Sequence, residues 1–230
     1  MNVKAMVLAV VAVLAAHPLT AQVGHDPARS PYSDLEYSQE LTPFVGYTRA
    51  RTDPAGIAPK SAPVMGLRYE LTLTGPLAFS SEISRTSSSR NVLDPTKPLP
   101  TRQRGSVSSP VYAADIALAL NLTGRKSWNR LVPQLRAGAG LVRSAAADDS
   151  SGFSFGTPFA ITFGGGVKLV STGRLQVRAD VTDHVFHLNY PDAYYRLTSD
   201  NTAVLGSGTA KSFYTHHTGL TVGVSYLFAR

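Results

Sequence analysis

The sequence contains no cysteine and no hydrophobic run long enough to cross a bilayer as a helix. Without cysteine, the 230-residue chain has neither a disulfide framework nor the lipidated cysteine of a lipoprotein. The longest apolar stretch covers residues 5–16, whereas a membrane-spanning helix needs about 18 to 20 apolar residues. These absences exclude a disulfide scaffold, a lipoprotein and a helical membrane protein.

Acidic residues are also few, so the chain is basic. Its first residues, however, argue against nucleic acid as the partner of this charge. There are 22 Lys and Arg against 15 Asp and Glu. Lys4 precedes the apolar run, Pro18 breaks it and Ala21 follows, which predicts a secretory signal peptide over residues 1–21. Export excludes nucleic acid as a partner. Residues 22–39 have few apolar side chains and predict a flexible periplasmic segment.

The final stretch, residues 216–228, has the clearest pattern in the chain. From 218 to 228 the even-numbered residues are mostly apolar and end in two aromatic side chains, whereas the odd-numbered residues from 217 to 225 are small or polar. A period of two predicts a β-strand with one apolar face. A strand that faces lipid on one side and a polar interior on the other requires this pattern.

Seven earlier segments have similar lengths, and all but the first, in which Pro43 and Gly46 make the facing ambiguous, have the same alternation. The connections between the segments differ in length in a regular way. Those after the second, fourth and sixth segments are short, and those after the first, third, fifth and seventh are long. Membrane barrels have short periplasmic turns and long outer loops in this order. We therefore predict an all-β fold over residues 40–230, a transmembrane antiparallel up-and-down β-barrel with a polar, charged interior. The predicted strands are 41–49, 64–73, 77–85, 111–122, 132–142, 159–169, 174–186 and 216–228.

Charged residues occupy the inward positions of these strands and balance in sign. A barrel of eight strands is just wide enough for its interior to be filled by side chains, so charges inside it must pair. Balanced charge favours a closed salt-bridge core, and a narrow gated channel is the alternative. The predicted lumen network is Arg68, Glu70, Glu82, Asp115, Arg136, Lys168, Arg178 and Asp180.

The last strand resembles the C-terminal assembly signal of bacterial outer-membrane barrels, through Thr221, Gly223, Tyr226 and Phe228. The resemblance implies insertion by the barrel-assembly machinery. The whole region 40–230 resembles the small eight-stranded barrels, the OmpA-like and OmpX-like outer-membrane proteins, in strand pattern and loop alternation. It implies anchoring in the bacterial outer membrane, with roles from envelope integrity to adhesion, and we expect a monomer.

Basic residues cluster in the loop between the third and fourth strands. Arg90, Lys97, Arg102 and Arg104 face only Asp94 as a counter-charge. Guanidinium and ammonium groups bind phosphate, so this loop is a candidate site for lipopolysaccharide or another surface polyanion. The alternative is a solvated loop. We therefore expect the lipids and lipopolysaccharide of the outer membrane as partners.

Histidines give a weak indication of an enzyme or a metal site. His184 lies near the end of the seventh strand, and His216 and His217 begin the eighth. A hydrolase would need a serine and a carboxylate beside a histidine, and Ser212 is available, but no motif connects these residues. We predict no catalytic residue, metal or cofactor. The expected function is a structural or surface-interaction role through the outer loops, with a narrow gated pore and a lipid A-modifying enzyme as alternatives.

Overall fold

The computed structural model describes residues 30–145 and 149–229, which contain twelve β-strands. The predicted signal peptide and residues 22–29 lie outside the described residues. In chain order the strands are β1 (Tyr32–Asp34), β2 (Gln39–Ala50), β3 (Ala62–Thr74), β4 (Leu77–Thr86), β5 (Ser89–Leu93), β6 (Gln103–Ser108), β7 (Val111–Asn121), β8 (Lys126–Trp128), β9 (Leu131–Ser144), β10 (Phe159–Val170), β11 (Leu175–Asn189) and β12 (Ser212–Phe228).

Eight of these strands form a closed antiparallel barrel in the order β2, β3, β4, β7, β9, β10, β11, β12. The barrel closes between β12 and β2, from the pair Phe228 and Gln39 to the pair His217 and Ala50. Closure pairs the backbone polar groups that a sheet edge would leave free in lipid. The predicted eight-stranded barrel is confirmed. The largest difference is at β12, which begins at Ser212 rather than His216 because its hairpin with β11 continues beyond the barrel wall.

The outer surface of the barrel is apolar, as the alternation predicts. Ile116, Phe159 and Leu220 remain 59%, 62% and 60% exposed although they are large and hydrophobic. Soluble proteins rarely expose apolar patches of this extent, whereas lipid-facing strands require them. Among the described residues no helix is long and apolar enough to cross a membrane.

The two ends of the barrel differ in the length of their connections. At the end called here the loop end, four long loops join the strands: L1 (51–61), L2 (87–110), L3 (145–158) and L4 (190–211). At the opposite end, the turn end, the connections are 75–76, 122–130 and 171–174. The predicted alternation of loop length is confirmed. L2 contains the hairpin of β5 and β6, which the sequence pattern did not reveal.

The segment before the barrel is partly structured at the turn end. Strand β1 pairs antiparallel with β8, a three-residue strand in the connection between β7 and β9. The backbone N–H of Leu35 also donates to the carbonyl of Arg125 at 2.9 Å. The segment predicted to be flexible therefore has a fixed backbone position over β1. Neither strand is long enough to show an alternating pattern in sequence.

Candidate functional site

The eight charged residues assigned to the interior by sequence all lie inside the barrel. Each is at most 6% exposed, although they come from six different strands. Burial of this extent requires that each charge has a partner within ion-pair distance. The pairs form one connected series that runs from the turn end to the loop end.

The turn-end part of this network joins two cations to two glutamates. The Nζ of Lys168 lies 3.0 Å from Oε1 of Glu40, and it also contacts Glu70. One guanidinium nitrogen of Arg178 lies 2.6 Å from Glu40 and 3.3 Å from Glu70. The amide of Gln134 donates to Glu70 at 2.7 Å. Each glutamate is thus shared by both cations, which neutralises the two charges of each sign.

Asp180 connects the turn-end part to the rest of the network. Its Oδ2 lies 2.9 Å from Nε of Arg178 and 2.9 Å from a terminal nitrogen of Arg68. One carboxylate on β11 therefore joins a cation on its own strand to a cation on β3. The network is continuous through the middle of the barrel.

The loop-end part consists of two arginines and two carboxylates. Glu82 accepts from Arg68 at 2.7 Å and from Arg136 at 2.7 Å. Arg136 also donates to Asp115 at 2.9 Å. The last contact is between Nε2 of His184 and the other oxygen of Asp115, at 3.3 Å. The network therefore ends at a histidine beneath the long loops.

Sequence reasoning missed one member of this network, Glu40. Pro43 and Gly46 obscured which face of β2 points inward, so Glu40 was treated only as the start of the barrel region. In the structure it is 6% exposed and also accepts from the amide of Gln176. Extending the outward alternation of Leu41, Val45 and Tyr47 along β2 would have placed Glu40 on the inner face. The paired carboxylates therefore number five against four Lys and Arg side chains.

Glycines make room for the network at two positions. A Cβ atom on Gly166 would lie 2.3 Å from a carboxylate oxygen of Asp180 and 2.6 Å from a backbone carbonyl of β11. A Cβ on Gly66 would lie 2.4 Å from the ring of Phe44, which packs against the guanidinium of Arg68 at 5.6 Å. Small inward residues are needed here because the lumen is filled by side chains.

One group of described residues at the loop end of the network, called here the loop-end corner, has side chains of the kinds that bind metal ions. Glu82, Asp115 and His184 each offer a ligand atom within 4.8 Å of the others. Arg136, however, already pairs with both carboxylates, and Arg68 also pairs with Glu82, so a metal ion here would have to displace these arginines. His217 lies opposite His184, is buried, and its Nε2 has no hydrogen-bond partner among the described residues. We therefore assign this corner to the ion-pair network.

The histidines considered for hydrolysis point in different directions. His217 is buried inside the barrel, whereas His216 binds Oδ2 of Asp183 at 2.7 Å and is partly exposed. Thr218 donates to the other oxygen of Asp183 at 2.9 Å. Ser212 is four positions from His216 on the same strand, a separation of about 13 Å at the rise of a β-strand. His216 and Asp183 are therefore paired, but Ser212 does not belong to this group.

The long loops pack together over the loop end and form a small hydrophobic core. We call the four long loops, with the strand ends beneath them, the loop cap. Its apolar core comes from L1, L3, L4 and those strand ends, and its buried side chains are Ile57, Ala58, Val111, Val142, Phe153, Ala160, Phe186, Leu188, Tyr190, Tyr194 and Leu205.

Buried tyrosines of L4 connect the apolar part of the loop cap to a carboxylate of L1. The hydroxyl of Tyr190 donates to Asp53 at 2.8 Å, and the second oxygen of Asp53 accepts from the backbone of Ala58 at 2.9 Å. Burial, together with the neighbouring Asp53 carboxylate, raises the pKa of Tyr190. Burial also raises the pKa of Tyr194 to about 12. Both phenols are therefore held in the neutral form.

Arg90, predicted to bind a polyanion, lies inside the loops. It is 2% exposed and pairs with Asp149 of L3 at 2.5 Å. It also donates to Ser151 at 3.2 Å, and its guanidinium lies 5.3 Å from the ring centre of Phe153. This arginine connects L2 to L3.

Arg102 has the same kind of position and connects L2 to L4. It is 5% exposed, and it donates to the backbone carbonyl of Ala203 at 2.8 Å and to the hydroxyl of Thr202 at 2.7 Å. Folded loops leave carbonyl groups without strand partners, and a guanidinium supplies several donors to satisfy them. Two of the four basic residues therefore serve the packing of the loops.

The other two basic residues of L2 remain at the surface. Both Arg104 and Lys97 are exposed, and Arg104 lies 3.3 Å from Asp94. The hydrogen bond from Thr96, together with the contact from Arg104, lowers the pKa of Asp94. Polyanion binding by this loop stays a prediction, with Lys97 and Arg104 as the side chains able to reach a ligand.

The residues that resemble an assembly signal divide between the two faces of β12. Thr221 and Gly223 face the lumen and are buried, whereas Tyr226 is exposed on the outer surface. The ring of Phe228 lies 6.3 Å from Tyr226 and 6.3 Å from Tyr69 of β3. Their role in insertion stays a prediction.

Two cavities lie at opposite ends of the lumen. One of about 440 Å³ opens at the turn end between residues 33–39 and the network residues Glu40, Glu70 and Lys168. The other, about 40 Å³, lies under the loop cap beside Glu82 and His217. They share no lining residue, because the middle of the network lies between them.

Comparison with known proteins supports the fold. No protein-family model and no curated protein matches the sequence. The outer membrane protein OprG from Pseudomonas aeruginosa is similar in structure, with a TM-score of 0.52, 13% identity, and coverage of 84% of this chain and 98% of OprG. The N-terminal β-barrel domain of Pseudomonas aeruginosa OprF gives a TM-score of 0.43 at 12% identity, over 83% of this chain and 98% of that one. The chain has the fold of the small outer-membrane barrels.

Proposed function

We propose that the protein is a closed, non-conducting barrel of the bacterial outer membrane with a structural or surface-interaction role. The continuous ion-pair network across the lumen carries this proposal. An ion that crosses the lumen would have to displace guanidinium groups held by two or more carboxylates each, such as Arg178. Separating buried pairs of this kind costs several kcal/mol. The loop cap adds a second obstruction over the mouth.

The loop cap is the surface that such a scaffold presents outside the cell. Arg90 and Arg102 tie L2 to its neighbours, so the loops form one folded unit on the barrel. Binding residues are commonly carried by loops on a rigid scaffold. Leu99 of L2 and Leu197 of L4 remain 63% and 68% exposed at its surface, which supports contact with another molecule there.

A lipid A-modifying activity has less support. The pair His216 and Asp183 lies on the outer face near the loop end, but Ser212 is too distant to be its nucleophile. Thr218 donates its hydroxyl proton to Asp183 rather than to the histidine. A Ser-His-Asp mechanism needs the hydroxyl bonded to the imidazole.

Conductance of the refolded protein in a planar bilayer tests the proposal. Wild-type protein, shown to be inserted by its heat-dependent migration on a detergent gel, is expected to give no unitary current steps. Lys97→Ala, on L2 outside the lumen, is the matched control for Arg136→Ala. Stable steps in the wild type that change with Arg136→Ala but not with Lys97→Ala would overturn the proposal and assign a narrow gated pore.

A further inference from the structure

A groove runs along the outer face of β3, β4, β7 and β9, below the loop end. It has a volume of about 740 Å³, and its apolar walls include Met65, Leu67, Ile83 and Leu141. A second depression of about 580 Å³ shares the last three of these residues and continues toward the turn end as far as Ile116. Together they form an apolar trough on the lipid-facing surface.

The trough exists because small residues stand beside large ones in register. Ala114 lies between Ile83 and Leu141 on the neighbouring strands, and Ala139 lies opposite Ile116. A methyl side chain between two branched ones leaves a depression about as wide as the spacing of two strands, roughly 10 Å. An extended hydrocarbon chain fits a channel of this width.

Two arginines lie at the loop-end head of the trough. Arg85 of β4 and Arg143 of β9 both stand opposite Tyr112 of β7, so the three residues form one row across adjacent strands. All three line the groove and are exposed. With strands about 4.8 Å apart, the two arginine Cα atoms are separated by about 10 Å.

These arginines differ from those of the lumen and of L2. Within residues 30–145 and 149–229 neither Arg85 nor Arg143 has an ion pair or a side-chain hydrogen bond. Arg136, Arg90 and Arg102, in contrast, are buried, and each makes ion pairs or hydrogen bonds through its guanidinium group. Two unpaired guanidinium groups at the head of an apolar trough match a ligand that has phosphate at one end and hydrocarbon at the other.

We propose that this face binds lipid A, the phosphorylated and multiply acylated glycolipid of the outer leaflet, with its phosphates on Arg85 and Arg143 and an acyl chain along the trough. Guanidinium binds phosphate through paired charge-assisted hydrogen bonds. Tyr112, between the two arginines, is a side-chain type suited to the boundary between lipid and water. The inference goes beyond the scaffold function and rests on its placement in the outer membrane.

Native mass spectrometry of the folded protein with hexa-acylated lipid A tests the site. Arg85→Ala combined with Arg143→Ala is expected to raise the lipid A concentration at half-saturation about tenfold or more, because two charge-assisted contacts are lost. The matched control is Arg49→Ala combined with Arg51→Ala, two exposed arginines near the loop-end rim that do not line the groove. The control is expected to bind as the wild type does. Equal weakening in both pairs would overturn the site in favour of general charge attraction.

A second variant tests the apolar half of the site. Ala114→Phe fills the trough without changing the arginines or the lumen, and it is expected to reduce lipid A binding about tenfold. Dephosphorylated lipid A and phosphatidylethanolamine should bind the wild type more weakly than lipid A. Wild-type binding by Ala114→Phe, or phosphatidylethanolamine binding equal to that of lipid A, would refute the assignment. Detergent-gel migration reports insertion separately, so loss of the barrel and loss of this site are distinguishable.

Discussion

Each buried charge of the lumen depends on a particular partner. Glu82 has two arginines, whereas Asp115 has Arg136 as its one arginine partner among the described residues, with His184 at a longer distance. An unpaired carboxylate in a lumen filled by side chains keeps its desolvation cost without a compensating contact. Loss of Arg136 therefore affects Asp115 more than Glu82.

We expect Arg136→Ala to lower the free energy of unfolding by about 3–5 kcal/mol, because it leaves a buried carboxylate without its cation. The measurement is urea unfolding of the refolded protein in lipid vesicles. Adding Asp115→Asn should recover part of the loss, since the amide carries no charge. Lys97→Ala, at the surface, should have no effect, and equal stability of Arg136→Ala and wild type would contradict the role of the network.

At the scale of strands, the sequence was sufficient to predict which face a residue lies on wherever the surroundings impose a period of two. Lipid outside and packed polar groups inside repeat along every barrel strand, so Leu118 and Asp115 of β7 could be assigned to opposite faces. The same reasoning placed all eight predicted charges in the lumen. It missed Glu40 because a proline and a glycine break the pattern of β2.

The loop cap could not be predicted from local patterns. Its contacts join residues far apart in the chain, such as Arg90 with Asp149 and Arg102 with Ala203. A basic residue in a loop looks the same in sequence whether it binds a distant carbonyl or faces solvent. The short strands β1, β5, β6 and β8 were missed for a related reason, since their pairing rather than their alternation defines them.

Arg102→Ala should loosen L4 while leaving the barrel folded. The variant loses the donors that hold the backbone of residues 202–203, so trypsin should cleave after Arg196 faster than in the wild type. Limited proteolysis of the inserted protein, read by mass spectrometry, is the measurement. Arg104→Ala, which loses only a partly exposed contact with Asp94, is the control, and equal cleavage rates in both variants would contradict the connection of L2 to L4.

Across the whole molecule, the barrel and the loop cap are stabilised by different interactions. The barrel has a closed hydrogen-bond ladder and an ion-pair network, whereas the loop cap has an apolar core with two neutral tyrosines. Tyr194 has a pKa raised to about 12 by burial, above its usual value of about 10. A group with a raised pKa stabilises the fold below its unfolded pKa and loses that contribution as the pH rises.

The loop cap should therefore open between about pH 10 and pH 12 while the barrel persists. Ultraviolet absorbance of tyrosinate follows the ionisation, and the difference between wild type and Tyr194→Phe isolates one phenol. Circular dichroism reports the strands in the same samples. Ionisation of Tyr194 at its ordinary pKa, or loss of strand signal together with it, would contradict the separation of the two parts.

The distribution of charge around the barrel also bears on how the barrel closes. Strand β12 carries no Asp, Glu, Lys or Arg, and its lumen face meets β2 through the hydroxyls of Thr42 and Ser225, 2.7 Å apart. Every other barrel strand supplies a member of the ion-pair network. At this seam, as at the neighbouring junction of β11 with β12, neither strand depends on an ionic partner from the other. We expect the charges of the other seven strands to pair first, so that β12 can close the wall without carrying an unmatched ion into the membrane.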